Sequence, residues 1–264
     1  MYDVILWGGL LGGGYLWLRW YLSIWQNQLG KFRASWLPIL AQCLPLLCGM
    51  VILAILIRFS ASDVRTSTFY LMVYLALGIA WLALVKWLFP FLGISFEFDV
   101  VERSNPAALA ALSGALLGTT FCYAGGNIGE GPGTEVVIFS AGLATIYFFL
   151  VWWALSVLTE VDYTVTIDRD LAAGLRLGGF LLSAGLILGR AAAGNWVSYS
   201  ATFSDMLRYG SPVLILLAVA VLVELIARPT PEHPTPSPVL FGALPLVAYV
   251  GGAAFYLLVG NFPI

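Results

Sequence analysis

Apolar residues run along this chain in long blocks that do not alternate with polar ones. The blocks cover about Val4–Trp25, Trp36–Leu56, Thr68–Leu92, Pro106–Tyr123, Val136–Leu158, Leu171–Gly194, Pro212–Ala227 and Val239–Leu258, with short polar stretches between them. An α-helix rises about 1.5 Å per residue, so roughly 20 apolar residues cross a hydrocarbon core about 30 Å thick. Membrane barrel strands would instead show alternation over about 10 residues. The pattern predicts an all-α polytopic membrane protein of about eight transmembrane helices. Pro45 inside the second block predicts a bend there.

Shifted by 65 residues, the chain matches itself. FEFDVVERSNPAALAALSGALLG from Phe96 to Gly118 aligns without a gap on VDYTVTIDRDLAAGLRLGGFLLS from Val161 to Ser183. Self-similarity at a fixed offset means one structural unit used twice. Each copy opens on an acidic lead-in, read as extended, then meets Asn105 or Asp170. Those side chains suit an N-cap, because an oxygen there accepts a free backbone N–H of the first turn. Pro106 follows where no N–H is needed. The division is an N-terminal helix pair at 1–66, a four-helix core carrying the repeat at 67–197, and a C-terminal helix pair at 198–264. Within the last, residues 228–238 hold prolines in close succession and read as an extended linker.

Composition agrees, with 61% hydrophobic residues and 10% charged. A net charge of −2 gives no support to nucleic acid as a partner. The distribution of the twelve basic residues says more. Arg19, Lys31, Arg33, Lys86, Arg103, Arg169, Arg176 and Arg228 lie on or near the odd loops, whereas Arg58, Arg65, Arg190 and Arg208 lie near the even ones. The positive-inside rule then puts the odd loops in the cytoplasm and both termini in the periplasm of a bacterial inner membrane. Both lead-ins share one side, so the repeat is parallel, unlike the inverted repeats of many transporters. Cys43, Cys48 and Cys122 fall inside predicted spans and read as small packing residues. The amino terminus lacks the basic region of a cleavable signal and reads as a retained span.

The chain contains no phosphate loop, dinucleotide fingerprint or zinc-protease motif, and its single histidine, His233, sits among prolines. The expectation is a non-enzymatic protein without cofactor or metal. The glycine-rich stretch Gly125–Gly131 lacks a lysine and reads as a turn. Glu97, Asp99, Glu102, Asp162, Asp168 and Asp170 read mainly as a solvated rim, or as a cation site if the hairpins bring them together. Gly114, Gly118, Gly179 and Ser183 mark a small-residue face on the repeated helices, suited to close helix packing or to lining a solute path. Lys86, Arg176 and Glu224 fall at similar depth in three spans. They are read as a candidate intramembrane polar cluster, against snorkelling and a local Glu224–Arg228 pair.

Asn105-Pro106-Ala107-Ala108 with the run Ser113–Gly118, and Asp170-Leu171-Ala172-Ala173-Gly174 leading to Gly194-Asn195-Trp196, resemble the YjfL family of bacterial inner-membrane proteins. That is a short four-span family of two such hairpins with no established function. The likeness covers about residues 68–196, departs at Asp170 where Asn is usual, and adds two spans at each end. It implies an inner-membrane location and a four-helix core, and no reaction. The functional expectation is transport or permeation of an ion or small solute, by a homo-oligomer in the bilayer. The alternative is a scaffold recruiting a cytoplasmic protein partner in envelope or membrane stress.

Overall fold

The structure, a computed structural model, describes residues 2–28, 37–131, 133–229 and 237–260. His233, Lys31, Arg33 and most of the proline linker lie outside them. Among the described residues the chain is helical and has no strand. It forms α1 (Tyr2–Gly8), a π segment Gly9–Gly13, α2 (Gly14–Gln28), α3 (Leu37–Phe59), α4 (Ser62–Thr66) and α5 (Thr68–Lys86). The core continues with α6 (Pro106–Gly125), α7 (Thr134–Thr159), α8 (Val161–Thr166) and α9 (Leu171–Ala192). Last come α10 (Tyr199–Gly210), α11 (Pro212–Ala227), a π segment Val239–Ala243 and α12 (Leu244–Val259).

Seven of these helices are long and apolar enough to cross a membrane, α10 and α11 counting as one and α12 including its π segment. The protein is an all-α, multi-pass membrane protein. The amino-terminal helix, expected as the first span, is not among the seven, because its glycines, tryptophans, tyrosines and Arg19 dilute its apolar content. It nevertheless runs along the length of α5. Tyr2 meets Tyr70 at one end, Trp17 donates to the Ile79 carbonyl, and Trp20 stacks on Phe96 at the other.

The core is built around α6 and α9, which lie side by side and run the same way. Their contacts advance in step: Gly174 sits against Ala107, Gly178 against Ala110 and Gly114, Gly185 against Gly118, and Gly189 against Phe121 and Gly125. A Cβ added at Gly178 would fall 2.5 Å from the Ala110 carbonyl oxygen, and one at Gly114 or Gly125 would overlap the opposing backbone outright. Lipid is as apolar as leucine, so helices in a bilayer are held by such close packing rather than by apolar transfer. Gly9 and Gly13 seat the amino-terminal helix on Ala76 and Ala80 in the same way. The end where α6 and α9 begin is called here the cap end, and the other the far end. Tyr2 and Gly260 both lie toward the far end, since Tyr2 meets the start of α5 and Tyr256 bonds to Tyr209 near the end of α10.

Four expectations change. The lead-ins are not extended: Phe96–Glu102 is a π-helical turn and Val161–Thr166 is α8. The first is held by reciprocal bonds, Ser95 Oγ accepting from the Phe98 N–H and Asp99 Oδ2 from the Ser95 N–H. The third span stops at Lys86, because Pro90 opens a 3-10 turn, Phe89–Leu92, that Gly93 ends at φ 89°. The stretch before the seventh span, expected as a polar loop, is α10, capped by Ser198 Oγ on the Ala201 N–H. Of the cysteines, Cys48 and Cys122 are buried, but Cys43 is exposed on α3.

Candidate functional site

The sequence-predicted residues separate into three places. At the cap end, Asn105 and Asp170 are the N-caps of α6 and α9. Asn105 Oδ1 accepts from the Ala107 and Ala108 N–H groups at 2.9 and 3.3 Å, and the two Asp170 oxygens accept from Ala172 and Ala173 at 3.1 and 3.0 Å. The residues just before them, Ser104 and Arg169, repeat a left-handed backbone at φ 51° and 59°. The caps differ in one respect. Asn105 also donates through Nδ2 to the Val165 carbonyl of the other lead-in at 2.8 Å, which a carboxylate at Asp170 cannot do. Arg103 ties the lead-ins further by donating to the Thr166 carbonyl at 2.9 Å.

The acids of the lead-ins do not converge. Glu97 pairs with Lys86 at 3.0 Å, Asp99 is buried beside Arg103, and Asp162 lies beneath Gly93, where an added Cβ would meet it at 2.7 Å. Burial holds the Asp162 carboxyl above the usual carboxylate range, against its own backbone bonds, and the nearby Glu160 charge adds to the rise. Among the described residues no group of three His, Cys, Asp or Glu side chains is placed to hold a metal ion.

Inside the membrane, Arg176 and Glu224 meet. The fully buried guanidinium donates through Nε and Nη2 to the two Glu224 oxygens at 2.7 and 2.8 Å, and through Nη1 to the Phe241 carbonyl at 2.7 Å. One ion pair thus ties α9 to α11 and to the segment that opens the last span. Lys86 does not join it. Its ammonium stands over the Trp20 and Phe96 rings and bonds to Glu97. Gly179, expected on the repeat face, is instead filled by Leu246 of α12, and Ser183 is buried with its hydroxyl on the Gly179 carbonyl. The face of α9 toward α6 is Gly174, Gly178, Gly185 and Gly189. No family model, curated protein or solved structure matches the chain.

At the far end a further pair of positions at the same offset meets, which the helix pattern did not reveal. Gly129 and Gly194, again 65 apart, have φ of 106° and 147°, which side chains rarely adopt. The two turns they make pair with each other. The Gly194 N–H donates to the Ile128 carbonyl at 3.0 Å, the Trp196 N–H to Glu130 at 2.8 Å, and Asn195 Oδ1 accepts from the Glu130 N–H at 2.9 Å. Extending the self-comparison past the helices would have found this pair. Beneath the turns is a cavity of about 60 Å³. Tyr74, Ser140 and Asn127 line it, each more than nine-tenths buried, together with Thr202 and the carboxylates Asp63 and Asp205. The Ser140 and Tyr74 hydroxyls have no hydrogen-bond partner in the protein, nor has Asp205. Sequence reasoning read Asn127 only as part of the Gly125–Gly131 turn and passed over the others, because a single Ser or Tyr within an apolar span carries no pattern.

Proposed function

We propose that this membrane protein binds a small polar solute at the far-end cavity of its repeat core and passes it across the bilayer. The observation that carries this is the pair of hydroxyls, Ser140 and Tyr74, on side chains more than nine-tenths buried, that face the cavity without a hydrogen-bond partner in the protein. Hydroxyls that the protein itself leaves unpaired at a cavity wall are free to bond to an occupant that supplies donors or acceptors. At about 60 Å³ the space exceeds the roughly 10–15 Å³ that one water requires, so an occupant of a few heavy atoms is accommodated. In this reading the far end faces the periplasm, following the eight-to-four distribution of basic residues, and the sequence resemblance to the YjfL family supports a bacterial inner-membrane location. The solute does not travel between α6 and α9, whose backbones touch, and the Arg176–Glu224 pair acts as a tie rather than as part of a path.

Stopped-flow swelling of proteoliposomes in small polar solutes tests this. Wild type should swell faster than empty vesicles, and Ser140→Leu, which fills the cavity, should return the rate to that of empty vesicles. Equal rates for wild type and empty vesicles would sink it. The scaffold alternative draws on the exposed Glu97, Glu102 and Asp168 with Phe98, Tyr163 and Ile167 at the cap end. It predicts one abundant soluble partner retained by the full chain and lost when Glu102 and Asp168 are replaced by Lys.

A further inference from the structure

Resting on the proposed solute site, we infer that its ligand is a small, weakly hydrated monovalent cation of the ammonium class. The charge of the wall is the first reason. Asp63, Glu130 and Asp205 line the cavity, and no lysine or arginine does so among the described residues. Glu130 is already engaged, accepting from the Ser62 N–H at 3.0 Å with Arg65 at 3.8 Å, and Asp63 accepts from the Val64 N–H. Asp205 is left, half-buried on α10, with no ionic or hydrogen-bonding partner. A carboxylate so placed, in a wall that carries no basic side chain among the described residues, favours a cation.

The second reason is the kind of ligand atom. Ser140, Tyr74 and Thr202 offer hydroxyl oxygens, and Asn127 donates through Nδ2 to the Tyr123 carbonyl, leaving its Oδ1 as an acceptor. Neutral oxygens with one or two carboxylates suit a monovalent ion. A tightly held divalent or transition metal would call for a converging set of carboxylate, imidazole or thiolate ligands, and no such group exists among the described residues. The third reason is aromatic. Tyr74 and Trp196 both line the space, with Trp196 fixed edge-on against Tyr199 and Phe139. Ring faces attract cations that part with water easily, which favours ammonium and methylammonium over sodium. A cation of one or two heavy atoms also matches the volume.

The test is thermal unfolding of the detergent-solubilised full chain in ammonium, methylammonium, sodium or choline chloride at constant ionic strength, with neutral formamide as a sixth condition beside buffer alone. At about ten times its Kd, ammonium should raise the wild-type midpoint by roughly 3–6 °C, with sodium giving less and choline, too large for the cavity, nothing. Asp205→Asn should weaken the affinity about tenfold, the worth of one charge-assisted hydrogen bond, which cuts the shift at the same concentration to about a third, and Ser140→Ala should weaken it while leaving the helical circular dichroism intact. Equal stabilisation by every salt, or an unchanged response in both variants, overturns the cation assignment. Stabilisation by formamide with none by ammonium overturns it too, but leaves the solute site standing. No response to any of them, with swelling unaffected by Ser140→Leu, removes both readings.

Discussion

Breaking the Arg176–Glu224 pair from one side should cost more than removing it from both. Arg176 is fully buried and Glu224 is 4% exposed, and every nitrogen of the guanidinium has an acceptor within 2.8 Å. Two unit charges about 4 Å apart attract by about 4 kcal/mol at an effective dielectric of about 20, and desolvation of both ions offsets much of that gain. Arg176→Met leaves the Glu224 carboxylate stranded and the Phe241 carbonyl unpaired. The expected loss is about 3–5 kcal/mol for the charge, with a further 1–3 for the carbonyl. Glu224→Leu strands the guanidinium at a similar 3–5 kcal/mol. In the double variant no charge remains buried, so only the carbonyl and imperfect packing contribute, about 1–3 kcal/mol. Unfolding in mixed micelles, titrated with a denaturing detergent and followed by circular dichroism, gives the three differences. If the double variant loses as much as the two singles added together, the charges do not interact and the reasoning fails.

Other positions give sharper contrasts. Tyr249 is buried with a hydroxyl that bonds to nothing, so Tyr249→Phe should leave stability unchanged or raise it by about 1 kcal/mol; a loss of that size would reveal a partner. Gly178→Leu forces α6 and α9 apart and should prevent folding, whereas Gly49→Ala, in open space on α3, should be tolerated with a gain approaching about 1 kcal/mol, both read by size-exclusion profile and thermal midpoint. Asn105→Asp keeps the cap but turns a donor to Val165 into an acceptor. It should destabilise by about 1–3 kcal/mol in thermal unfolding, as Asp170→Asn should not. Asp162 holds its proton more tightly folded than unfolded, so its contribution to stability falls as pH rises through its raised folded pKa and is recovered as pH falls toward the ordinary carboxylate range. Midpoints recorded across that acidic window should climb on acidification for wild type. Asp162→Asn should lack that increment and start from a higher value at neutral pH.

What the sequence could disclose was decided by how local each determinant is. The caps at Asn105 and Asp170 answer to groups two and three residues away, so residue type and position are enough to place them. The lead-ins answer to each other across some 60 residues, through Arg103 on Thr166 and Asn105 on Val165, and their acidic, valine-rich text does not state that they coil. Depth along a helix can be counted, which placed Arg176 and Glu224 at one level. The choice between Arg176 and Lys86 as partner depends on rotation about the helix axis and on Trp20 and Phe96 enclosing the lysine, which counting does not reveal. The far-end cavity was least legible, since it gathers single side chains from α5, α7 and α10 beneath two glycine turns.

The unequal caps have a consequence for how such a core can be made. Two identical hairpins associating as separate chains would carry two of every residue, so a cation at the place of Arg176 would be matched by another where Ala111 now lies buried, with no acid opposite. Joining the hairpins in one polypeptide removes that obligation. One half keeps the amide that stitches the lead-ins, and the other is free to hold a charge and to anchor two further helices. Covalent linkage here is what permits the halves to divide labour, and a version cut between α6 and α7 should reassemble only in the pairing of unlike halves.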